Sequence, residues 1–91
     1  MTRIRRAFAV RGRVQGVGFR WFVEQRAAAL ALAGFVRNEA DGRVTGEVEG
    51  DERVVAEFVA ALRRGPALAR VDDVIETPLS PTGESDFRIQ R

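Results

Sequence analysis

The stretch Val10-Arg11-Gly12-Arg13-Val14-Gln15-Gly16-Val17-Gly18-Phe19-Arg20 decides the fold, because the spacing of apolar residues changes across it. Ahead of it, Ile4, Phe8 and Val10 recur at period two, which predicts a strand over residues 4–12. Behind it, Phe22, Val23, Ala27, Leu30 and Gly34 recur at three- and four-residue spacing, which predicts an amphipathic helix from Trp21 to Ala33. Gly12, Gly16 and Gly18 break both patterns, so the segment between reads as a tight strand-to-helix turn.

The rest of the chain follows outward from that unit. Residues 35–39 and 43–49 are strand-like and flank Ala40-Asp41-Gly42, where Asp-Gly signals a hairpin. Val44 and Val48 alternate with Thr45, Glu47 and Glu49, so one face of that strand is expected dry and the other wet. A second helix carries the stripe Val54, Val55, Phe58, Ala61 and Leu62, with Asp51 as its N-cap and Gly65-Pro66 as its stop. Residues 70–77 form a less regular strand, Thr77–Glu84 a surface loop, and Phe87–Gln90 a short last strand. The order β-α-β-β-α-β with a short extra C-terminal strand predicts an α+β, ferredoxin-like fold: one mostly antiparallel sheet with two helices on one face.

The glycine turn has chemical potential. It opens onto a helix N-terminus, whose unpaired amides and dipole favour an anion. Arg20 adds a planar, permanently charged fork that suits two phosphate oxygens. Glycine count alone leaves an ordinary turn equally open. No Lys-Ser or Lys-Thr follows the glycines, so this is not a Walker loop, and Gly16 and Gly18 do not complete a dinucleotide fingerprint. Asn38 falls near the end of the second strand, where an amide can orient a water or merely start a turn.

The two segments together resemble the signature motifs of the acylphosphatases. The pattern V-x-G-x-V-Q-G-V-x-F-R is met at Val10, Gly12, Val14, Gln15, Gly16, Val17, Phe19 and Arg20. The pattern G-[aromatic]-V-[basic]-N-x3-G-x-V-x5-G is met at Gly34, Phe35, Val36, Arg37, Asn38, Gly42, Val44 and Gly50. Ala27, Leu30 and Leu32 keep the small and apolar helix positions of that family, and Asp86-Phe87-Arg88-Ile89 resembles its last strand. The resemblance implies hydrolysis of the carboxyl–phosphate bond of acylphosphates. It implies a phosphate held by the loop residues Val14, Gln15, Gly16, Val17, Gly18 and Phe19 with Arg20, and an attacking water positioned by Asn38. Amides, one arginine and one asparagine suffice for a carboxylate leaving group and a loose transition state, so direct in-line attack by water is expected, with no metal, no cofactor and no phosphoenzyme.

Three positions depart from the family pattern. Ala31 stands where a glycine usually ends the first helix; a left-handed Ala31 costs about 1 kcal/mol, unless the helix ends differently. Glu39 replaces a frequent threonine after Asn38, and Arg91 stands where several relatives end in tyrosine. The last two departures bear on rate more than on reaction type.

Composition bounds the remainder. A chain of 91 residues supports one core, hence a single domain over 1–91. The absence of cysteine and histidine excludes disulfides, thiol catalysis, imidazole bases and the usual zinc sites. All basic residues are arginine, but they are dispersed among 13 acids for a net charge of +2, which argues against a nucleic-acid partner. No apolar run spans a membrane and the basic start lacks a signal-peptide core, so a cytoplasmic chain is expected. The resemblance implies a small-molecule acylphosphate substrate, and a monomer is the default expectation.

Other functions of the same fold fit less well. An RNA-binding module needs aromatics in its central strands, and Arg43–Glu49 has none. A metallochaperone needs cysteines. A regulatory, inactive relative is not excluded by fold alone. Glu24, Glu47 and Glu49 are expected as solvated charges, and Trp21, Phe22, Phe35 and Phe58 as core. Arg11, Arg13 and Arg37 flank the turn, either enriching anions locally or simply solvated.

Overall fold

A computed structural model describes residues 2–90, so the Arg91 position lies outside the described residues. The elements are β1 (Arg3–Arg13), α1 (Phe19–Ala29), β2 (Ala33–Asn38), β3 (Val44–Asp51), α2 (Glu52–Arg64), β4 (Arg70–Leu79) and β5 (Phe87–Ile89). They build one mixed sheet in the order β4-β1-β3-β2-β5, antiparallel throughout except for the β2–β5 pair. This is the expected ferredoxin-like α+β arrangement, with β5 as the extra strand.

Alternation decides which face is dry. Phe8, Val10, Val36, Val44, Val48 and Val74 point to one side and meet Phe19, Val23 and Ala27 of α1 and Val55, Phe58, Val59 and Leu62 of α2. Phe8 and Phe58 join the layers edge to face, with centroids 5.6 Å apart.

Element ends shift from the sequence expectation for local reasons. The first helix begins at Phe19 rather than Trp21, because Gly18 adopts a left-handed conformation and leads straight into it. It ends at Ala29 rather than Ala33, in a six-residue lock: the Leu32 amide donates to the Ala27 carbonyl and the Ala31 amide to that of Ala28. That lock requires Ala31 at φ 54°, the left-handed region that glycine normally fills. Ala31→Gly is therefore expected to stabilise the protein by about 0.5–1 kcal/mol, raising Tm by about 4 °C. A thermal melt checks this; an unchanged or lowered Tm would mean that the alanine is not strained there. The segment Thr77–Leu79, expected as loop, continues β4. Pro78 is tolerated because β4 is an edge strand with a ladder on one side only.

The second face of the sheet holds a larger correction. Glu49 is not a solvated charge: it is fully buried, and so is Arg5 opposite it on β1. Arg5 Nη1 donates to Glu49 Oε1 at 2.8 Å, and Arg3 Nε to Glu49 Oε2 at 2.6 Å. The segment after β4 lies over this pair, and the Thr82 and Gly83 amides donate to the same carboxylate at 2.8 and 2.9 Å. Glu47 and Glu84 complete the cage around Arg5. Burial opposes the charged form of Glu49 most strongly of any single influence. The Thr82 amide, Arg5, the Gly83 amide and Arg3 together outweigh it and hold the carboxyl well below the usual carboxylate range. Among the aromatics expected in the core, Phe58 is buried and Phe22 packs against the cluster. Phe35 instead sits half-buried on the second face between the guanidiniums of Arg37 and Arg88, and Trp21 is exposed.

Candidate active site

The turn between β1 and α1 is shaped by backbone angles. A bulge between Arg11 and Gly12 redirects the chain at the end of β1. Gly16 and Gly18 then both lie at φ 76°, and a Cβ at either would meet nothing within 4 Å. Conformation, not crowding, demands glycine there, and the space a side chain would occupy is open. Gly18 caps α1 without offering a side chain, and no acid occupies the first turn. The first helical amide to find a backbone acceptor is that of Phe22, which donates to the Gly18 carbonyl at 3.0 Å. From Gln15 to Arg20 the backbone N–H groups donate to no group among the described residues. Unpaired amides at a helix N-terminus carry partial positive charge and suit an anion.

Arg20 and Asn38 face the same space. Arg20 lies in the first turn of α1, partly exposed, and makes no ion pair or hydrogen bond with any described residue. By contrast Arg3, Arg5, Arg37, Arg43, Arg63, Arg70 and Arg88 are all paired with acids. Asn38 ends β2 opposite Val44 and shares its face with Val36, one pleat beyond the sheltered core. Its side-chain amide has no hydrogen-bond partner among the described residues. A cleft of about 670 Å³ is lined by Val14, Gly16, Gly18, Phe19, Arg20, Trp21, Asn38 and Ile89.

Most of the sequence-predicted site residues thus converge. Val14 and Phe19 are buried, so they offer the cleft backbone rather than side chain. Val17 packs against the core and, like Gln15, does not line the cleft. The Gln15 side chain has a role of its own. Its Nε2 donates to the carbonyls of Glu39 and Arg43 at 2.7 and 2.9 Å, stitching the glycine turn to the hairpin immediately beyond Asn38. That fixes the turn and Asn38 relative to each other. Glu39, the departure next to Asn38, turns to the other face of the sheet. There the Thr45 hydroxyl and then the Arg37 guanidinium hold its carboxyl below the ordinary range. Trp21 and Ile89, which sequence reasoning did not assign to the site, border the cleft on its apolar side. Trp21 follows Arg20 directly, and that adjacency was the available signal.

Comparisons with known proteins identify the family. The family model described as Acylphosphatase matches residues 6–89. An acylphosphatase of Moorella thermoacetica is 52% identical over 90 residues, covering 99% of this chain and 97% of that one. One from Acidiphilium cryptum is 54% identical over 76 residues, 84% of each chain. The crystal structure of acylphosphatase from Bacillus subtilis superposes with a TM-score of 0.94 at 40% identity, covering 97% of this chain and 99% of that one. Matched by sequence and by fold over nearly its whole length, the chain belongs to the acylphosphatase family.

Proposed function

We propose that this chain is a metal-independent hydrolase of acylphosphates, releasing a carboxylate and inorganic phosphate by direct attack of water on phosphorus. The observation that carries this is that Gly16, Gly18, Phe19 and Arg20, whose backbone amides donate to no described group, line one cleft with the unpartnered Arg20 and Asn38 side chains. The backbone of Val14, Gln15, Gly16, Val17, Gly18 and Phe19 and the Arg20 fork hold the phosphoryl oxygens. The Asn38 amide orients the water in line with the bond to be broken.

The chemistry needs little more. The water oxygen forms a bond to phosphorus as the bond from phosphorus to the acyl oxygen breaks. The carboxylate leaves with the electron pair, and the water's proton passes to a phosphate oxygen. A carboxylic acid has a pKa of about 4, so its anion departs at neutral pH without a general acid. The phosphoryl-transfer transition state is loose, so positioning and charge stabilisation supply most of the acceleration. A chain without histidine or cysteine is equipped for that. The substrate is a small molecule and the working unit a monomer.

Hydrolysis of benzoyl phosphate in ¹⁸O-water with EDTA tests the proposal. Turnover that puts the label into inorganic phosphate is expected. Label in benzoate would move the attack to the carbonyl carbon and refute the mechanism. No turnover would leave an anion-binding domain in place of an enzyme.

A further inference from the structure

Among the exposed large apolar side chains, Leu68, Ile75 and Leu79 do not line the cleft; Trp21 does, at 63% exposure. Its indole makes no ring–ring or cation–ring contact with the described residues, and its N–H has no hydrogen-bond acceptor among them. A large aromatic surface left in water beside a polar anion site is stabilised when an apolar group covers it. The polar end of the cleft, Gly16, Gly18, Arg20 and Asn38, is occupied by the phosphoryl group and water in the proposed reaction. In-line displacement then sends the acyl group away from Asn38. Val14 and Phe19 are buried and have no surface to offer it. Ile89 packs against the core, which leaves Trp21 as the lining residue with the largest exposed apolar surface.

We propose that Trp21 is the acyl-recognising residue and that it selects acylphosphates with aromatic or extended apolar acyl groups over short ones such as acetyl phosphate. This rests on the hydrolase function proposed above. A planar acyl group stacks on the indole in ground state and transition state alike, so the interaction acts on KM and leaves kcat alone.

The test compares benzoyl phosphate with acetyl phosphate on wild type, Trp21→Ala and Trp21→Phe. Trp21→Ala is expected to raise KM for benzoyl phosphate about tenfold with kcat nearly unchanged, and to leave acetyl phosphate kinetics within about twofold. Trp21→Phe should restore most of the loss. Trp21 is also the sole tryptophan, so its emission reports binding directly. Benzoylphosphonate, which cannot be hydrolysed, should shift or quench that emission, and inorganic phosphate should do so far less. Turnover of both substrates with an unchanged benzoyl-to-acetyl preference in Trp21→Ala would overturn the inference and leave the hydrolase intact. Equal emission responses to phosphonate and phosphate would also overturn it. If wild type turns over neither substrate, the hydrolase function and this inference fall together.

Discussion

Asn38→Ala is expected to lower kcat for benzoyl phosphate by about 10²–10³ while the inhibition constant for inorganic phosphate stays within about twofold. The expectation follows from where Asn38 sits. It ends β2 on the helix-bearing face, has no protein partner for its amide among the described residues, and contributes nothing to the run of unpaired amides. In the proposed mechanism its removal deprives the attacking water of orientation without touching the cradle. Arg20→Ala should behave differently, weakening phosphate inhibition and raising KM as well as lowering kcat, because in the proposed mechanism the guanidinium contacts ground state and transition state. Arg20→Lys should rescue little, since a point ammonium cannot span two oxygens as a planar fork does. The pair of variants is checked by steady-state kinetics with phosphate as competitor. If Asn38→Ala loses phosphate affinity with turnover intact, the two roles are misassigned.

The parts of this site that were legible in the sequence are those fixed locally. Gly16 and Gly18 are needed for a backbone angle that only their own residue type adopts freely, so glycine spacing revealed the turn. Asn38 closes a period-two run, so its place at a strand end could be counted off. What was hidden depends on distant chain. A strand pattern tells inside from outside only if the outer face meets water, and at Glu49 it meets Thr82 and Gly83 instead, more than thirty residues further on. Nothing near Glu49 signals that cover. Trp21 fails in the opposite sense. Its size suggested core, yet at the first turn of α1 the buried positions are Phe19 and Val23, and Trp21, two residues from each, faces out. Nothing near Gln15 signals its side-chain role either, because the carbonyls it reaches belong to the β2–β3 hairpin.

Glu49→Gln is expected to destabilise the protein at pH 7 by about 3 kcal/mol, a large share of the 5–15 kcal/mol typical of a domain. The reason is the asymmetry between a satisfied and a half-satisfied buried charge. In the wild type one carboxylate accepts from Arg5, Arg3, and the Thr82 and Gly83 amides. Glutamine offers a single acceptor oxygen and turns an NH₂ toward groups that all donate. Arg5 then remains buried with only the part-exposed Glu47 and Glu84 to balance it. The damage should spread along the chain that Glu49 pins. Residues 80–86 lead into β5, where the Gly34 amide donates to the Asp86 carbonyl and Ile89 borders the cleft. Faster hydrogen exchange at the Thr82, Gly83 and Gly34 amides is therefore expected in the variant. The pH dependence supplies a separate check. A carboxyl held below its unfolded pKa of about 4.3 stabilises the fold above that pH and loses the contribution as pH falls toward the folded value. Wild type therefore loses stability from Glu49 on acidification below about pH 4.5, whereas the variant has no proton to take up at that position. Denaturant midpoints at pH 7 and pH 3 should show the gap between the two proteins narrowing in acid. A gap that stays constant would mean that the cost comes from shape and packing at position 49, not from the charge that Arg5 and the two amides enclose.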